Sequence, residues 1–82
     1  MFFVYIIQSQ KQGTYYVGVT DNIERRLFEH NHGKSIYTRS KGPWVLVYQE
    51  RHNSRSEAMK REFEIKSKKK RAYIERLIMT RP

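Results

Sequence analysis

The chain has 82 residues, no cysteine and a formal net charge of +9, which favours one basic domain over residues 1–82 and excludes disulfides and thiolate metal sites. No apolar run approaches the ~20 residues that span a bilayer, and the N-terminal run is too short for a signal peptide. We therefore expect a soluble cytoplasmic protein in which oxygen or imidazole ligands hold any bound metal.

The first two predicted elements are strands joined by a turn. Phe2–Gln8 is β-branched and aromatic without alternation, which is typical of a strand covered on both faces, so we expect it at the centre of the sheet. Ser9–Gly13 is predicted to be the turn and Thr14–Val19 the second strand, which together make an antiparallel hairpin.

The register of this hairpin decides whether two tyrosines share a face. If the turn has an even number of residues and Gln8 pairs with Gly13, Tyr5 pairs with Tyr16 and both side chains lie on one face of the sheet. A three-residue turn would instead place the two side chains on opposite faces. Gly18 has no side chain, so it would admit another backbone or a phosphate, or it would mark a β-bulge.

A short amphipathic helix is predicted from about Asn22 to His32-Gly33, with Thr20 or Asp21 as its cap. At about 100° per residue, one arc of this helix carries both apolar and basic side chains. Those residues are Ile23, Arg26, Leu27 and His30. The arginine and the histidine either extend into water from the edge of the apolar stripe or serve a function on it.

A polar, basic loop is predicted over residues 34–43. Its segment Thr38–Gly42 carries hydrogen-bond donors that suit a phosphate backbone, although ordinary surface loops have the same composition. Trp44–Gln49 is rich in valine, tyrosine and tryptophan and is predicted to be the third strand. The sheet therefore has at least three strands.

A second helix is predicted to begin at a capping box formed by Ser54 and Glu57. Its apolar arc is expected to be Ala58, Met59, Phe63 and Ile65, and its outer face Glu57, Lys60, Arg61 and Glu64. Glu62 falls inside the apolar arc, where a carboxylate is costly unless a cation or a hydrogen-bond donor compensates it. Lys66, one turn later, would supply that cation in an ordinary intrahelical pair.

The last predicted helix, Ala72–Met79, is expected to close the core with its inner side. The inner residues are Tyr73, Ile74, Leu77 and Ile78. The predicted order is then β-β-α-β-α-α. We therefore expect a small α/β protein, of α+β type, in which helices flank a central three-stranded antiparallel sheet.

The positive charge is concentrated after residue 50, where 11 Lys/Arg stand against 4 Glu. Such a surface favours a polyanion partner, because each neutralised phosphate releases condensed counterions, although a basic tail can also simply aid solubility. The residues expected to contact nucleic acid are Arg39, Lys41, Lys66, Lys68, Lys69, Lys70 and Arg71.

Five side chains from four predicted elements indicate phosphodiester chemistry if they converge over the sheet. They are Tyr5, Tyr16, Arg26, His30 and Glu62. A single carboxylate can hold a hard divalent cation such as Mg²⁺, and a guanidinium can neutralise charge that builds on phosphorus. A phenol would need a nearby cation before it could act as a base, and a histidine could relay or orient the proton.

These motifs resemble the GIY-YIG nuclease superfamily, in its small single-domain branch. The resemblance rests on Val4-Tyr5-Ile6, on Tyr16-Val17-Gly18, and on Arg26, His30 and Glu62. The arginine and the histidine follow Tyr16 by ten and fourteen residues, a spacing that the family shares. The segment Glu57–Glu62 also resembles the glutamate motif of that family.

The resemblance implies an endonuclease that cuts nucleic acid, DNA in preference to RNA, with one Mg²⁺ or Mn²⁺ ion. It implies that Glu62 is the metal ligand and Arg26 the phosphate stabiliser. Tyr16 would be the base or water-positioning residue, supported by Tyr5 and His30. Branched, nicked or single-stranded DNA is the expected substrate class, in a repair or recombination role, and a protein partner is one source of specificity for such a small domain.

Two other interpretations fit the same residues. One is a nucleic-acid-binding module that keeps the fold without catalysis and uses Arg39, Lys41 and Lys68–Arg71 for phosphates. The other is an interaction domain whose basic last helix meets an acidic protein or a membrane surface. We expect no membrane contact, because that interpretation leaves Arg26, His30 and Glu62 without a role.

Overall fold

Three strands and three helices follow one another in the order β-β-α-β-α-α in a computed structural model that describes residues 1–80. They are β1 (Phe2–Ser9), β2 (Tyr15–Thr20), α1 (Ile23–Asn31), β3 (Trp44–His52), α2 (Arg55–Ser67) and α3 (Arg71–Thr80). The predicted α+β fold is therefore confirmed. The last two residues of the predicted domain, 81 and 82, lie outside the described residues.

The sheet has the order β2-β1-β3, with both pairs antiparallel, so β1 is the central strand as its apolar sequence predicts. Successive side chains of β1 point to opposite faces. Val4 and Ile6 pack with α2 and α3, whereas Tyr5 and Ile7 pack with α1 and Trp44. Both faces of β1 are thus covered, which explains why its residues need no polar alternation.

The hairpin register differs from the predicted one by two residues. Gln8 pairs with Tyr15, so Tyr5 lies opposite Gly18 and the predicted direct pairing of Tyr5 with Tyr16 is wrong. Because side chains alternate with a period of two, a shift of two residues leaves both tyrosines on one face. Their ring centres lie 6.3 Å apart, which confirms the shared face.

The turn has the predicted length but lies one residue later in the chain, because Ser9 belongs to β1 and closes the turn. The N–H of Ser9 donates to the carbonyl of Thr14 at 2.9 Å, and its hydroxyl accepts from the N–H of Gln12 at 2.9 Å. Gly13 has a φ of 77°, a left-handed conformation that glycine adopts without steric cost. These local contacts place the first cross-strand pair further along β2 than composition alone suggests.

Gly18 lies beneath the side chain of Tyr5. A Cβ at position 18 would stand 2.6 Å from the Tyr5 hydroxyl oxygen and 2.7 Å from its Cζ, which is far inside normal contact. The missing side chain therefore makes room for the ring of a neighbouring tyrosine. Gly18 does not mark a β-bulge, and no other backbone approaches it, although these roles were expected.

The cap of α1 is Asn22, whose side chain accepts from the N–H of Arg25 at 3.0 Å. The predicted caps are therefore wrong, and each has another partner. The hydroxyl of Thr20 bonds the backbone of Asn22, and Asp21 pairs with Arg25 at 2.6 Å. The helix is followed by His32 at its C-cap, as predicted.

The second helix is rotated relative to the predicted arc. Ala58 and Ile65 are buried as expected, but Met59 and Phe63 are 51% and 74% exposed. Arg61, predicted on the outer face, is half-buried against β3. Ala58 and Ile65 project from one side of the helix, and the two exposed residues are turned from it by about 100° or more, so one helix face cannot bury all four.

The third helix closes the core, as predicted. Its inner residues Tyr73, Ile74, Leu77 and Ile78 pack against the cluster built around Val4, Ile6 and Ile65. Ser54 caps α2 as predicted, because its hydroxyl accepts from the N–H of Glu57 at 3.2 Å, but the Glu57 carboxylate accepts from the N–H of Asn53 and so does not complete the predicted capping box. Within residues 1–80, no helix combines the length and the apolar character needed to cross a membrane.

Candidate active site

A buried hydrogen-bond chain connects Tyr5, His30 and Thr38. The Tyr5 hydroxyl lies 2.8 Å from Nε2 of His30, and Nδ1 of His30 lies 2.7 Å from the Thr38 hydroxyl. The three residues are only 1–2% exposed. They come from β1, from the last turn of α1 and from the loop before β3, so this chain is a tertiary feature that ties three segments together.

Burial controls the protonation of this chain. Burial, reinforced by the positive charge of Arg26, lowers the pKa of His30 to about 4, so its ring is neutral at pH 7. Burial likewise raises the pKa of Tyr5 to about 12, so its phenol keeps its proton. Arg26 has only donors, so it can interact with the Tyr5 oxygen but cannot accept the Tyr5 proton. The Tyr5 hydroxyl therefore donates to Nε2 of His30. The neutral ring carries its own proton on Nδ1 and donates it to the Thr38 hydroxyl.

Tyr16 borders this chain on its more open side. Its ring centre lies 4.9 Å from that of His30 in an edge-on arrangement, with 61° between the ring planes. Tyr16 is half-buried, whereas Tyr5 is buried. Of the two phenols at the site, Tyr16 is therefore the one that a substrate can reach.

Arg26 lies at the rim of the site and interacts electrostatically with both tyrosines. Its guanidinium donates to Glu29 at 2.9 Å, one turn along the same helix. The side chain is 29% exposed. The helix face predicted to carry an arginine and a histidine does so, and it buries His30 while it leaves Arg26 open to a ligand.

Glu62 approaches the tyrosines from α2. Its carboxylate is 22% exposed and pairs with Nζ of Lys66 at 3.1 Å, the intrahelical pair that the spacing predicts. Burial is the main cause of the raised pKa of Tyr5, and the negative charge of Glu62 makes a smaller contribution in the same direction. Lys66 Nζ lies 6.0 Å from the ring centre of Tyr16. The structure thus brings all five predicted site residues into one region.

The donor set suits a hard divalent ion. Among the residues that the structure describes, no three histidine, cysteine or acidic side chains gather at one place. An ion such as Mg²⁺ needs only one or two carboxylates when water and substrate phosphate complete its coordination. Glu62 can supply that carboxylate once Lys66 moves away.

A groove of about 770 Å³ lies beside the site and meets it at Tyr16 and Lys66. Its walls combine aromatic and basic side chains. Lys41, Lys66, Lys69, Lys70 and Arg71, all predicted nucleic-acid contacts, line it. Arg39 and Lys68, predicted for the same role, are exposed outside this lining.

Arg71 is less free than the lysines of the groove. Its guanidinium donates to the Gly13 carbonyl at 2.8 Å, pairs with Glu75 at 3.0 Å and lies 4.6 Å from the ring centre of Tyr15. A phosphate that binds Arg71 would therefore compete with protein contacts. The remaining positive charge of the groove is carried by lysines that are open to solvent.

Two loop residues contribute in ways that sequence reasoning missed. Thr38, expected to donate to a phosphate, is buried and bonds His30, while its carbonyl accepts from the Trp44 indole at 2.9 Å. Tyr37 is 77% exposed and lines the groove. The role of Tyr37 could have been predicted, because it is an aromatic residue in a basic loop. The role of Thr38 could not, because an irregular loop has no repeating pattern that shows which side chains are buried.

Known proteins are similar to this chain over most of its length. A family model of the GIY-YIG catalytic domain matches residues 1–75. A UPF0213 protein of Staphylococcus haemolyticus is 50% identical over 66 residues, which cover 79% of each chain. One of Natronomonas pharaonis is 47% identical over 77 residues, 93% of this chain and 88% of the relative. The solution NMR structure of a UPF0213 protein from Bacillus halodurans is similar at 37% identity and a TM-score of 0.61, covering 96% of this chain and 84% of that one.

Proposed function

This chain belongs to the GIY-YIG family, and we propose that it is a divalent-metal-dependent endonuclease that hydrolyses phosphodiester bonds in DNA. Members of this family are generally nucleases that use divalent metal ions. The observation that supports the proposal is the convergence of two tyrosines, an arginine, a buried neutral histidine and a glutamate from four separate elements.

Glu62 would hold the divalent ion, Mg²⁺ or Mn²⁺. When bound, such an ion polarises a phosphate oxygen and lowers the pKa of a water molecule. The half-exposed pair with Lys66 is weak enough to exchange for a stronger ligand. Lys66 would then be released next to Tyr16, where its ammonium adds positive charge to the site.

Arg26 would bind the scissile phosphate. A guanidinium presents planar donors that match phosphate oxygens, and it keeps its charge at every accessible pH. Its partner Glu29 is on the same helix and is partly exposed, so the pair can rearrange around a substrate. In this position Arg26 would stabilise the negative charge that develops on the transferring phosphoryl group.

Tyr16 would be the base or would position the attacking water. Lys66 and Arg26 are the positive charges near its phenol. Val19 packs with the cluster around Val4 and Ile6, on the opposite face of the sheet from Tyr16. We therefore assign the positive charge beside Tyr16 to Lys66 and not to residue 19.

Tyr5 and His30 would support Tyr16 without taking its proton. Tyr5 has a pKa raised by burial to about 12, and His30 has a pKa lowered by burial to about 4. Neither group changes protonation near pH 7, so both act as a fixed frame. Their contacts to Tyr16 hold its ring at a defined angle above the sheet.

The groove supports DNA as the substrate, because its lysines would neutralise phosphates along a strand that enters at Tyr16. We extend the proposal to branched, nicked or single-stranded DNA in the cytoplasm, in repair or recombination. DNA is favoured over RNA, and a protein partner would add specificity.

A second candidate function is a nucleic-acid-binding module without catalysis. The groove would suffice for this role, and Lys66 already neutralises Glu62 in the protein alone. Such a module would bind nucleic acid with a steep dependence on salt. Its affinity would not respond to Mg²⁺ or to the loss of Glu62.

The deciding experiment is cleavage of labelled single-stranded, duplex, nicked and branched DNA with Mg²⁺ or Mn²⁺. Glu62→Ala and Arg26→Ala are each expected to abolish cleavage without loss of the fold. Glu24→Ala, which removes an exposed carboxylate from α1, is the matched control and should cut normally. Cleavage that survives both site changes would overturn the proposal, and binding without any cutting would favour the module.

A further inference from the structure

Met59 and Phe63 form an apolar patch on α2 that the fold does not use. Their side chains are 51% and 74% exposed, and neither belongs to the two clusters that make the core. Residues four apart on a helix are neighbours, so the two side chains lie side by side, about 6 Å apart along the axis. A paired thioether and aromatic ring is a larger apolar surface than a single exposed residue.

The patch adjoins the carboxylate proposed to hold the metal. Phe63 follows Glu62 directly, and Met59 precedes it by three residues. Helix geometry places Met59 about 60° around the axis from Glu62 and about 4.5 Å along it. A strand whose scissile phosphate lies at Glu62 advances by about 3.4 Å or more per nucleotide, so a base one or two nucleotides away reaches the patch.

The charge around the patch selects the kind of ligand. Arg55, Ser56 and Lys60 line a shallow depression together with Met59 and Phe63, and that lining contains no acidic residue. A second copy of this chain, with its net charge of +9, would bring like charges together. A ligand that offers a flat apolar surface and negative charge is the complement, and a nucleotide has both.

We propose that Met59 and Phe63 form a stacking surface for an unpaired nucleobase next to the scissile phosphate, with Arg55 and Lys60 contacting the flanking phosphates. This inference rests on the proposed function, because Glu62 defines where the strand passes. A base within an intact duplex does not expose its face. The patch therefore favours substrates in which at least one base beside the cleaved bond is unpaired.

The test is binding of labelled single-stranded oligonucleotides in the Glu62→Ala background, where no strand is cut. Phe63→Ala should weaken binding by about fivefold or more, the effect of losing one stacked base. Phe63→Trp should restore it, because indole also stacks. Met79→Ala is the matched control, since Met79 is an exposed apolar residue on α3, and it should change affinity less than twofold.

An abasic oligonucleotide of the same length separates stacking from phosphate contact. It keeps the charges and lacks the bases, so Phe63→Ala should have no further effect on its binding. An equal loss on both oligonucleotides, or no loss on either, would overturn the inference. A Phe63→Ala defect found only in binding to anionic vesicles, or only in the sedimentation of the protein, would also overturn it in favour of a lipid surface or a second copy.

Different results would exclude the stacking surface and the nuclease activity. Normal cleavage by Phe63→Ala, with unchanged affinity for single strands, would remove the stacking surface and leave the nuclease. Binding that depends on Phe63 and on bases, in a wild-type protein that never cuts, would remove the nuclease and leave the stacking surface. Wild-type protein that binds no oligonucleotide would remove both.

Discussion

The candidate active site and the cluster around Glu50 are built from the same residue types but differ in how their charges are paired. Glu50 on β3 accepts from Nε of Arg61 at 3.0 Å, from the hydroxyl of Tyr48 and from His52 at 3.1 Å. Arg61 on α2 also pairs with Glu64 at 2.6 Å. In this cluster a central carboxylate receives several donors, and its main pair joins a strand to a helix.

The charges of the candidate site are paired differently. Arg26 pairs with Glu29 on α1, and Glu62 pairs with Lys66 on α2. Both pairs stay within one helix, and their side chains are 22–52% exposed. Exposed pairs of this kind contribute at most about 0.5 kcal/mol, so a ligand can replace either partner at little cost.

A shifted pKa does not distinguish the two clusters. Burial raises the pKa of Tyr5 in the site and of Tyr48 beside Glu50 to about 12 in both cases. The two clusters differ in whether the main ion pair joins two elements of the fold or stays within one helix. Pairs between elements hold the fold together, whereas pairs within a helix leave charges that substrate or metal can recruit.

The largest expected effect is on cleavage in Glu62→Ala. If Glu62 binds the metal, cleavage should fall by about 100-fold to 1000-fold or more. The free energy of unfolding should change by less than about 0.5 kcal/mol, because the pair with Lys66 is exposed. Initial cleavage rates and urea unfolding measure the two quantities. If Glu62→Ala instead lost stability together with activity, Glu62 would have a structural role like that of Glu50.

The next effect is on acid stability, through His30. Its pKa is about 4 when folded and 6.5 in the unfolded chain, so the unfolded state binds the proton first as pH falls. The stability contributed by the neutral ring is fully present above pH 6.5 and is lost as pH falls towards 4, by roughly 3 kcal/mol.

His30→Gln provides the measurement of that effect. The variant should be less stable at pH 7 but should show a flatter decline in unfolding free energy between pH 6.5 and 4. His32→Gln, which changes an exposed histidine at the end of α1, should keep the wild-type decline. Equal slopes in wild type and His30→Gln would show that the site histidine is not held neutral.

A smaller effect is expected from Arg61→Met. The change removes the pair with Glu50 between α2 and β3, and both side chains are about one-fifth exposed. We expect a loss of about 1–2 kcal/mol of stability, below the value for a fully buried pair. Cleavage by the folded protein should be unchanged. Arg76→Met, an exposed change on α3, is the control for urea unfolding.

The smallest effect is on metal affinity in Lys66→Met. Removing the competing ammonium from Glu62 should tighten Mn²⁺ binding by about twofold, the equivalent of one exposed ion pair. Titration followed by the electron spin resonance of free Mn²⁺ measures it. Lys60→Met removes the same charge elsewhere on α2 and should leave the affinity unchanged. Weaker Mn²⁺ binding in Lys66→Met would contradict the idea that Lys66 competes with the metal for Glu62.

The sequence by itself determined the kind and order of the elements and, in α1, which residues share a face. The apolar run of β1 predicted a central strand, and an even-numbered turn predicted that Tyr5 and Tyr16 share a face, although their predicted pairing was wrong by two residues. The 3.6-residue period likewise placed Arg26 beside His30. These properties follow from backbone geometry, which acts over a few residues and is the same in any fold.

Only the tertiary structure decided which of several faces packs and which partner each polar group finds. It turned α2 so that Arg61 met Glu50 and left Met59 and Phe63 outside, and it brought Thr38 to His30. α2 carries apolar residues on more than one side, so its own sequence leaves the rotation open. The rotation follows from the sum of contacts with β1, β2, β3 and α3, which are distant in the sequence and form together.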